Sequence, residues 1–169
     1  MRTFFNLIAV VLSLSGCAAT GSLEETIGPA IDLRQFSQVR VVIDAATDEQ
    51  RDIVDLLEAK LIAQLARSGS FEKVWSARAA DSEQADLSMR VKLVDLNRVS
   101  SEQRALWGGL VGRGAVVLDV LLLNNANDQT VGGFQASGKS SGGTSFSGTT
   151  TQAIDQAVAQ IIRYIQARR

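Results

Sequence analysis

The chain has 169 residues, 46% hydrophobic and 21% charged, the composition of one globular domain with length left over for a leader and a linker. Its 17 Lys and Arg against 18 Asp and Glu give a formal net charge of -1, so there is no basic field to concentrate nucleic acid. With no histidine and a single cysteine, Ser-His-Asp and Cys-His catalysis, His- or multi-Cys zinc sites and an intramolecular disulfide are excluded.

The N-terminus, "MRTFFNLIAVVLSLSGC", sets Arg2 ahead of an apolar run from Phe4 to Leu14, then Ser15, Gly16 and Cys17. The run is too short for a permanent membrane helix and reads as a secretory signal. "LSGC" resembles the lipobox of bacterial lipoproteins. The resemblance implies cleavage before Cys17, a diacylglyceryl thioether on its sulfur and a third acyl chain on the new amino group. Two or more acyl chains hold a protein stably on a membrane. Ala18 stands where an aspartate often signals inner-membrane retention, and by analogy with Gram-negative lipoproteins this favours the periplasmic leaflet of the outer membrane. Residues 1–16 are therefore expected to be a lipoprotein signal peptide, whose loss removes only Arg2 among the charged groups and leaves a net charge of -2. Residues 17–35, rich in small, polar and turn residues and carrying the only proline, Pro29, are expected to be a lipidated tether. Fully extended, such a tether reaches a few tens of ångströms. Residues 36–169 are expected to be the periplasmic domain.

That domain opens with "VRVVID", where Val39, Val41 and Ile43 share one face of a strand. In "TDEQRDIVDLLEAKLIAQLARSG", Thr47 and Gln50 form a capping-box pattern, and Asp48 and Glu49 suit a helix N-terminus. Ile53, Leu57, Leu61 and Leu65 make the apolar stripe, Asp55, Glu58 and Gln64 are expected to face water, and Ser68-Gly69 ends the helix. A short strand is predicted over Phe71 to Ser76. "ADLSMRVKLVDL" alternates Leu87, Met89, Val91 and Leu93 with Ser88, Arg90 and Lys92, a strand with one wet face.

"SEQRALWGGLVGRGAVVLDV" follows, with Leu106, Trp107, Leu110 and Val111 among four glycines and flanked by Arg104 and Arg113. It is no dinucleotide fingerprint, since it lacks G-x-G-x-x-G and a surrounding βαβ unit. Arg104, Trp107, Leu110 and Arg113 are the candidate partner-binding residues, on a loop that docks a partner or touches the membrane interface. The opposing reading folds Trp107 back over the open face of the sheet. "AVVLDVLLL", Ala115 to Leu123, is apolar on both faces except at Asp119, as in a central strand. "NNANDQ" is a turn, and Thr130 to about Lys139 is expected to return as a hairpin strand.

Gly133, four residues, then Gly138-Lys139-Ser140 matches G-x-x-x-x-G-K-[ST], the phosphate-binding loop. That loop needs a helix starting at the Lys-Ser pair, whose free amides hold the phosphates. Here "SGGTSFSG" follows, and Phe134, Ala136 and Gly138 alternate with Gln135, Ser137 and Lys139, so the motif is expected to lie along a strand, with Gly132-Gly133 as a bulge. No nucleotide is therefore expected as a ligand. The terminal segment places Ile154, Ala157, Val158, Ile161, Ile162 and Ile165 on one helical face, with N-caps among Thr149 to Thr151 and Arg163, Arg168 and Arg169 at its C-terminal end. Two apolar helix faces need one sheet face to bury them. The fold class predicted is α+β, a single two-layer domain with a mostly antiparallel sheet of four to five strands and two helices on one face.

The pieces "VRVVID", "LARSGSFEKVW", "ADLSMRVKLVDL", "RALWGGLVGRGAVVLDVLLLN" and "ASGKSSGGTSFSG" with its following helix, in this order, resemble the envelope lipoproteins of domain-of-unknown-function family 4410. The resemblance departs at "NNANDQTVGG", where an Asp-x-x-Thr-Gly turn is commoner. The family has no assigned activity, so the resemblance implies no catalytic residues. Asp44, Asp95 and Asp119 are read as strand-end or hydrogen-bonded carboxylates rather than an acid-base pair, with Arg90 or Lys92 as the expected partner of Asp119. The expectation is a non-enzymatic binding or assembly module, without cofactor or metal. It is held to the membrane through Cys17, engages an envelope protein complex, and has no nucleic-acid or nucleotide partner. The alternative is a small-ligand or glycan binder using Ser137 to Gly148.

Overall fold

The structure is a computed structural model that describes residues 19–28, 32–44, 50–97, 114–141 and 149–169. Cys17, Thr47, Arg104, Trp107, Leu110 and Arg113 lie outside the described residues, as does most of the Gly/Ser-rich stretch after Ser141.

The elements in chain order are β1 (Thr20–Ile27), a 3-10 turn (Leu33–Gln35), β2 (Gln38–Asp44), α1 (Arg51–Ser68), β3 (Lys73–Ser76) and a second 3-10 turn (Ala80–Gln84). β4 (Leu87–Asn97), β5 (Ala115–Asn124), β6 (Gln129–Lys139) and α2 (Thr150–Gln166) complete the domain. The fold is α+β. The sheet has six strands rather than four to five, in the order β1-β6-β5-β4-β2-β3, and it is mixed, with three antiparallel pairs and two parallel ones. β2 runs parallel to both β3 and β4, while the pairs β4-β5, β5-β6 and β1-β6 are antiparallel. The parallel pairs follow from α1, which carries the chain from the end of β2 back to the start of β3, a crossover that no hairpin can make.

The sixth strand comes from the segment expected to be a tether. Residues 20–27 pair along β6 from Thr20 opposite Lys139 to Ile27 opposite Gly133, and Leu23 packs against the core. The periodicity is faint because β1 is an edge strand, and most of its side chains stay wet.

One core lies between the helices and one sheet face. It joins Leu57, Leu61 and Leu65 of α1 and Ile154, Val158, Ile161 and Ile165 of α2 to Val39, Val41, Leu87, Met89, Leu118, Leu122 and Phe134 of the strands. Phe134 stacks on Tyr164 with ring centroids 3.8 Å apart, and the Arg168 guanidinium lies over the Tyr164 ring, 3.5 Å from its centre. α2 sits directly on β6: a Cβ at Gly138 would fall on the Ala153 carbonyl and within 2.6 Å of the Ala157 nitrogen. Thr149 caps α2 by accepting from the Gln152 amide at 3.3 Å. α1 ends at Gly69, whose φ of 64° is the left-handed C-cap conformation that glycine adopts most easily. Glu58 does not face water as expected. It is buried, accepting from the Ser76 hydroxyl at 2.6 Å and lying 3.5 Å from the Arg78 guanidinium.

Candidate functional site

The helices cover one face of the sheet, and among the described residues none covers the other. On β5 the burial alternates with the pleat: Val116, Leu118, Val120 and Leu122 point into the core, whereas Val117, Asp119, Leu121 and Leu123 point away from it. β5 is therefore central in the sheet but, among the described residues, covered on one side, and the apolar character of its second face is not explained by helix packing.

The strand registers align polar residues across that bare face. Asp44 on β2 stands opposite Lys92 on β4, and Lys92 opposite Asp119 on β5. Asp119 stands opposite Gln135 on β6, and Gln135 opposite Glu24 on β1. One row thus crosses five strands with an acid, a base, an acid, an amide and an acid, in the cross-strand geometry that favours opposite charges. Asp119 is half-buried and accepts from the Gln135 side-chain amide at 2.9 Å. Of the two expected partners, Lys92 stands across the ladder from it and Arg90 stands opposite Leu121, while Gln135 makes the hydrogen bond. Sequence reasoning missed Gln135 because strand alternation gives the face but not the cross-strand neighbour.

Beside the row lies a shallow concavity of about 270 Å³, lined by Thr26, Asp44, Arg90, Lys92, Asp119 and Leu121 among others. Leu121 is one of the few exposed large apolar side chains among the described residues, and Arg90 stands opposite it on β4. Val94 is another; it occupies a bulge in β4, where Leu93 pairs with Leu118 and Asp95 with Val117. The flank of the face is held by hydrogen bonds: Arg40 donates to the Ser88 hydroxyl at 3.1 Å, and that hydroxyl lies 2.6 Å from the Asn125 carboxamide oxygen. At the base of β2, the Asp86 carboxylate accepts from the amides of Ser37 and Gln38 at 2.8 and 3.0 Å, tying β2 to β4 in register.

The arrangement suits recognition of a surface of alternating charge. Asp44 and Asp119 are kept apart by a full strand, with Lys92 between them, and among the described residues no three of His, Cys, Asp and Glu converge to hold a metal ion. Gly133 to Lys139 lie within β6, as expected of the phosphate-loop match, and the next helix among the described residues begins at Thr150. Packing accounts for both glycines of the match: Gly138 lies beneath the α2 backbone, and a Cβ at Gly133 would meet the Ile27 side chain at 3.0 Å. The strand irregularity near them falls one residue earlier than expected, at Val131, between the pairs Leu122–Gly132 and Leu123–Thr130.

The profile of a domain of unknown function, DUF4410, matches residues 33–144. The chain belongs to the DUF4410 family. The match stops before α2 and begins after β1, so the two elements that close the core at β6 lie outside it. Among solved structures, the DUF4410 chain is similar to the subunit of the PelC dodecamer from Paraburkholderia phytofirmans. The identity is 20% and the TM-score 0.57, over 89% of this chain and 100% of that one. It is also similar to a Xanthomonas campestris protein of family DUF330, with 14% identity and a TM-score of 0.52 over 85% of this chain and 88% of that one. At these identities the likeness establishes the shared fold. No curated protein matches the chain.

Proposed function

We propose that this DUF4410 protein is a lipid-anchored envelope protein, attached through Cys17 on the periplasmic side of the outer membrane, that acts as a non-enzymatic binding or assembly module. The observation that carries the reading is the sheet face away from the helices, where Asp44, Lys92, Asp119, Gln135 and Glu24 form one row across five strands. Side chains held at fixed spacing on a hydrogen-bonded ladder pay little ordering entropy on contact, which suits a docking surface. The lipobox "LSGC" supports the address. The similarity of fold to PelC, a protein that assembles into a dodecamer, supports assembly as the role.

The second reading, a small-ligand or glycan binder, rests on the concavity beside the row. At about 270 Å³, it lies just below the roughly 300–1,000 Å³ of most small-molecule sites. A macromolecular partner is the better fit.

Photo-crosslinking in native envelopes tests the proposal, with the crosslinker at Leu121 on the bare face and, separately, at Trp107. One recurring protein adduct from Leu121 is the expected result, and that adduct names the complex. Adducts absent from Leu121, together with a soluble glycan that raises the melting temperature of the protein, would replace the first reading with the second.

A further inference from the structure

We infer that a second copy of this chain is a partner in assembly, joined edge to edge: β3 of one copy adds antiparallel to β1 of the next, so that one sheet runs on through both. The inference deepens the assembly role proposed above and rests on it, and it leaves the row of Asp44, Lys92 and Asp119 open to a further partner. β1 and β3 are the outer strands of the sheet, each paired on one side only among the described residues. An outer strand presents unpaired amides and carbonyls along its free side. β1 keeps a regular register from Thr20 to Glu25, and its irregularity falls only after Glu25.

The strand directions suit each other. β1 runs opposite to β6, β6 opposite to β5 and β5 opposite to β4, while β4, β2 and β3 are parallel. β1 therefore runs opposite to β3, and a copy set alongside with its helices on the same side brings the two together as an antiparallel pair.

The side chains select one register. On β3, Val74 and Ser76 stand opposite the buried Val39 and Val41, so Lys73 and Trp75 point away from the helices. On β1, Gly21 lies beneath Gln160 of α2 and Leu23 packs against the core, so Ser22 and Glu24 point away from the helices. Matching face to face sets Lys73 opposite Glu24, Val74 opposite Leu23, Trp75 opposite Ser22 and Ser76 opposite Gly21. Lys73 and Glu24 are both exposed, and opposite charges across a ladder attract. Lys73 also continues the row that ends at Glu24 with a base. Leu23 and Val74 are half-buried at opposite edges of the core, and the contact closes one against the other. The bulky Trp75 meets the small Ser22. One position further, Glu72 approaches Glu25, whose carboxylate Arg168 already holds. A slide of two residues sets Trp75 against Glu24, or Val74 against Gly21, and loses the ion pair. A slide of one turns core-facing side chains against water-facing ones. Because the two copies use different surfaces, the contact repeats into a ring or a filament.

Disulfide trapping in native envelopes tests the pairing. The full-length double variant Glu24→Cys, Lys73→Cys is oxidised, and its species are separated by size without reductant. Positions 24 and 73 of one chain lie five inter-strand spacings apart, roughly 24 Å, too far to bond within the chain. The expected result is a ladder of linked species, at least about tenfold above either single variant. The same excess is expected over the double variant Thr20→Cys, Lys73→Cys, which is out of register. A yield from Glu24→Cys alone that equals the double variant replaces this contact with β1 on β1. An equal yield from the Thr20 variant overturns the register. Absence of the ladder overturns the inference, and the crosslinker at Leu121 then decides the reading beneath it. A protein adduct retained from Leu121 in the same variant keeps the assembly role, and its loss removes both.

Discussion

The two faces of the sheet carry similar numbers of apolar residues along β5 but have different fates. Leu118 and Leu122 are sealed beneath the helices, while Leu121, between them in sequence, remains 37% exposed among Arg90, Lys92 and Asp119. The covered face holds the fold together, and the bare face is free to be shaped by contact. Strand pairing fixes both, because the ladder that buries Leu118 also sets Asp119 opposite Lys92. The side chains of the bare face therefore stand on a platform whose stability is supplied from the other side.

The largest test of that contrast is a pair of truncations on one strand. Leu118→Ala is expected to lower unfolding stability by about 2–5 kcal/mol in urea, from lost burial plus the cavity left behind. Leu121→Ala is expected to cost less than about 1 kcal/mol. Equal losses would mean that the bare face is packed, and the comparison would fail. Next comes Gly138→Val, which forces β6 and the α2 backbone apart. A loss of about 1–3 kcal/mol or more is expected from the overpacking, whereas Gln135→Val on the bare face of the same strand should stay within roughly 1 kcal/mol.

A smaller effect is read from pH. Burial on the covered face pushes the phenol of Tyr164, the only tyrosine, above its ordinary value. A raised value favours the protonated form in the folded state, so this contribution is complete below about pH 10 and is lost as pH rises through the folded value. Tyrosinate absorbance should therefore appear at higher pH in the folded protein than in urea, and Tyr164→Phe should remove the corresponding alkaline slope in stability. Coincident titrations would show that the ring is wet. The smallest expected effect on stability is that of Lys92→Glu, within about 0.5–1 kcal/mol for an exposed cross-strand position. The same change sets three acids side by side across β2, β4 and β5, and it should abolish the adduct recovered from Leu121. A partner retained with full yield would place recognition elsewhere on the molecule.

Much of the fold is legible along the chain. The α2 stripe from Ile154 to Ile165 and the β4 alternation from Leu87 to Leu93 follow from spacing alone, and the structure buries those residues except Ile162, which is half-buried. β1 is less legible, because "TGSLEETI" turns only Leu23, among large apolar side chains, toward the core and depends on β6 and Arg168 for its place. Glu58 reads as a wet helical position, yet it is buried because Ser76 and Arg78 arrive from β3 and the turn after it. The members of the bare-face row are individually visible as polar residues of strands. Their alignment is not, since a slip of one residue between β4 and β5 would turn Asp119 away from Lys92 and into the core.

The sequence by itself determined the α+β class, the helix stripes and the placement of the phosphate-loop match along a strand, because each depends on neighbours within a few residues. The tertiary structure alone decided the parallel placement of β2 between β3 and β4, the recruitment of residues 20–27 as a sixth strand, and the row from Asp44 to Glu24. These depend on register between segments tens of residues apart, where the free energy lies in burying one whole sheet face at once rather than in any local preference of the chain.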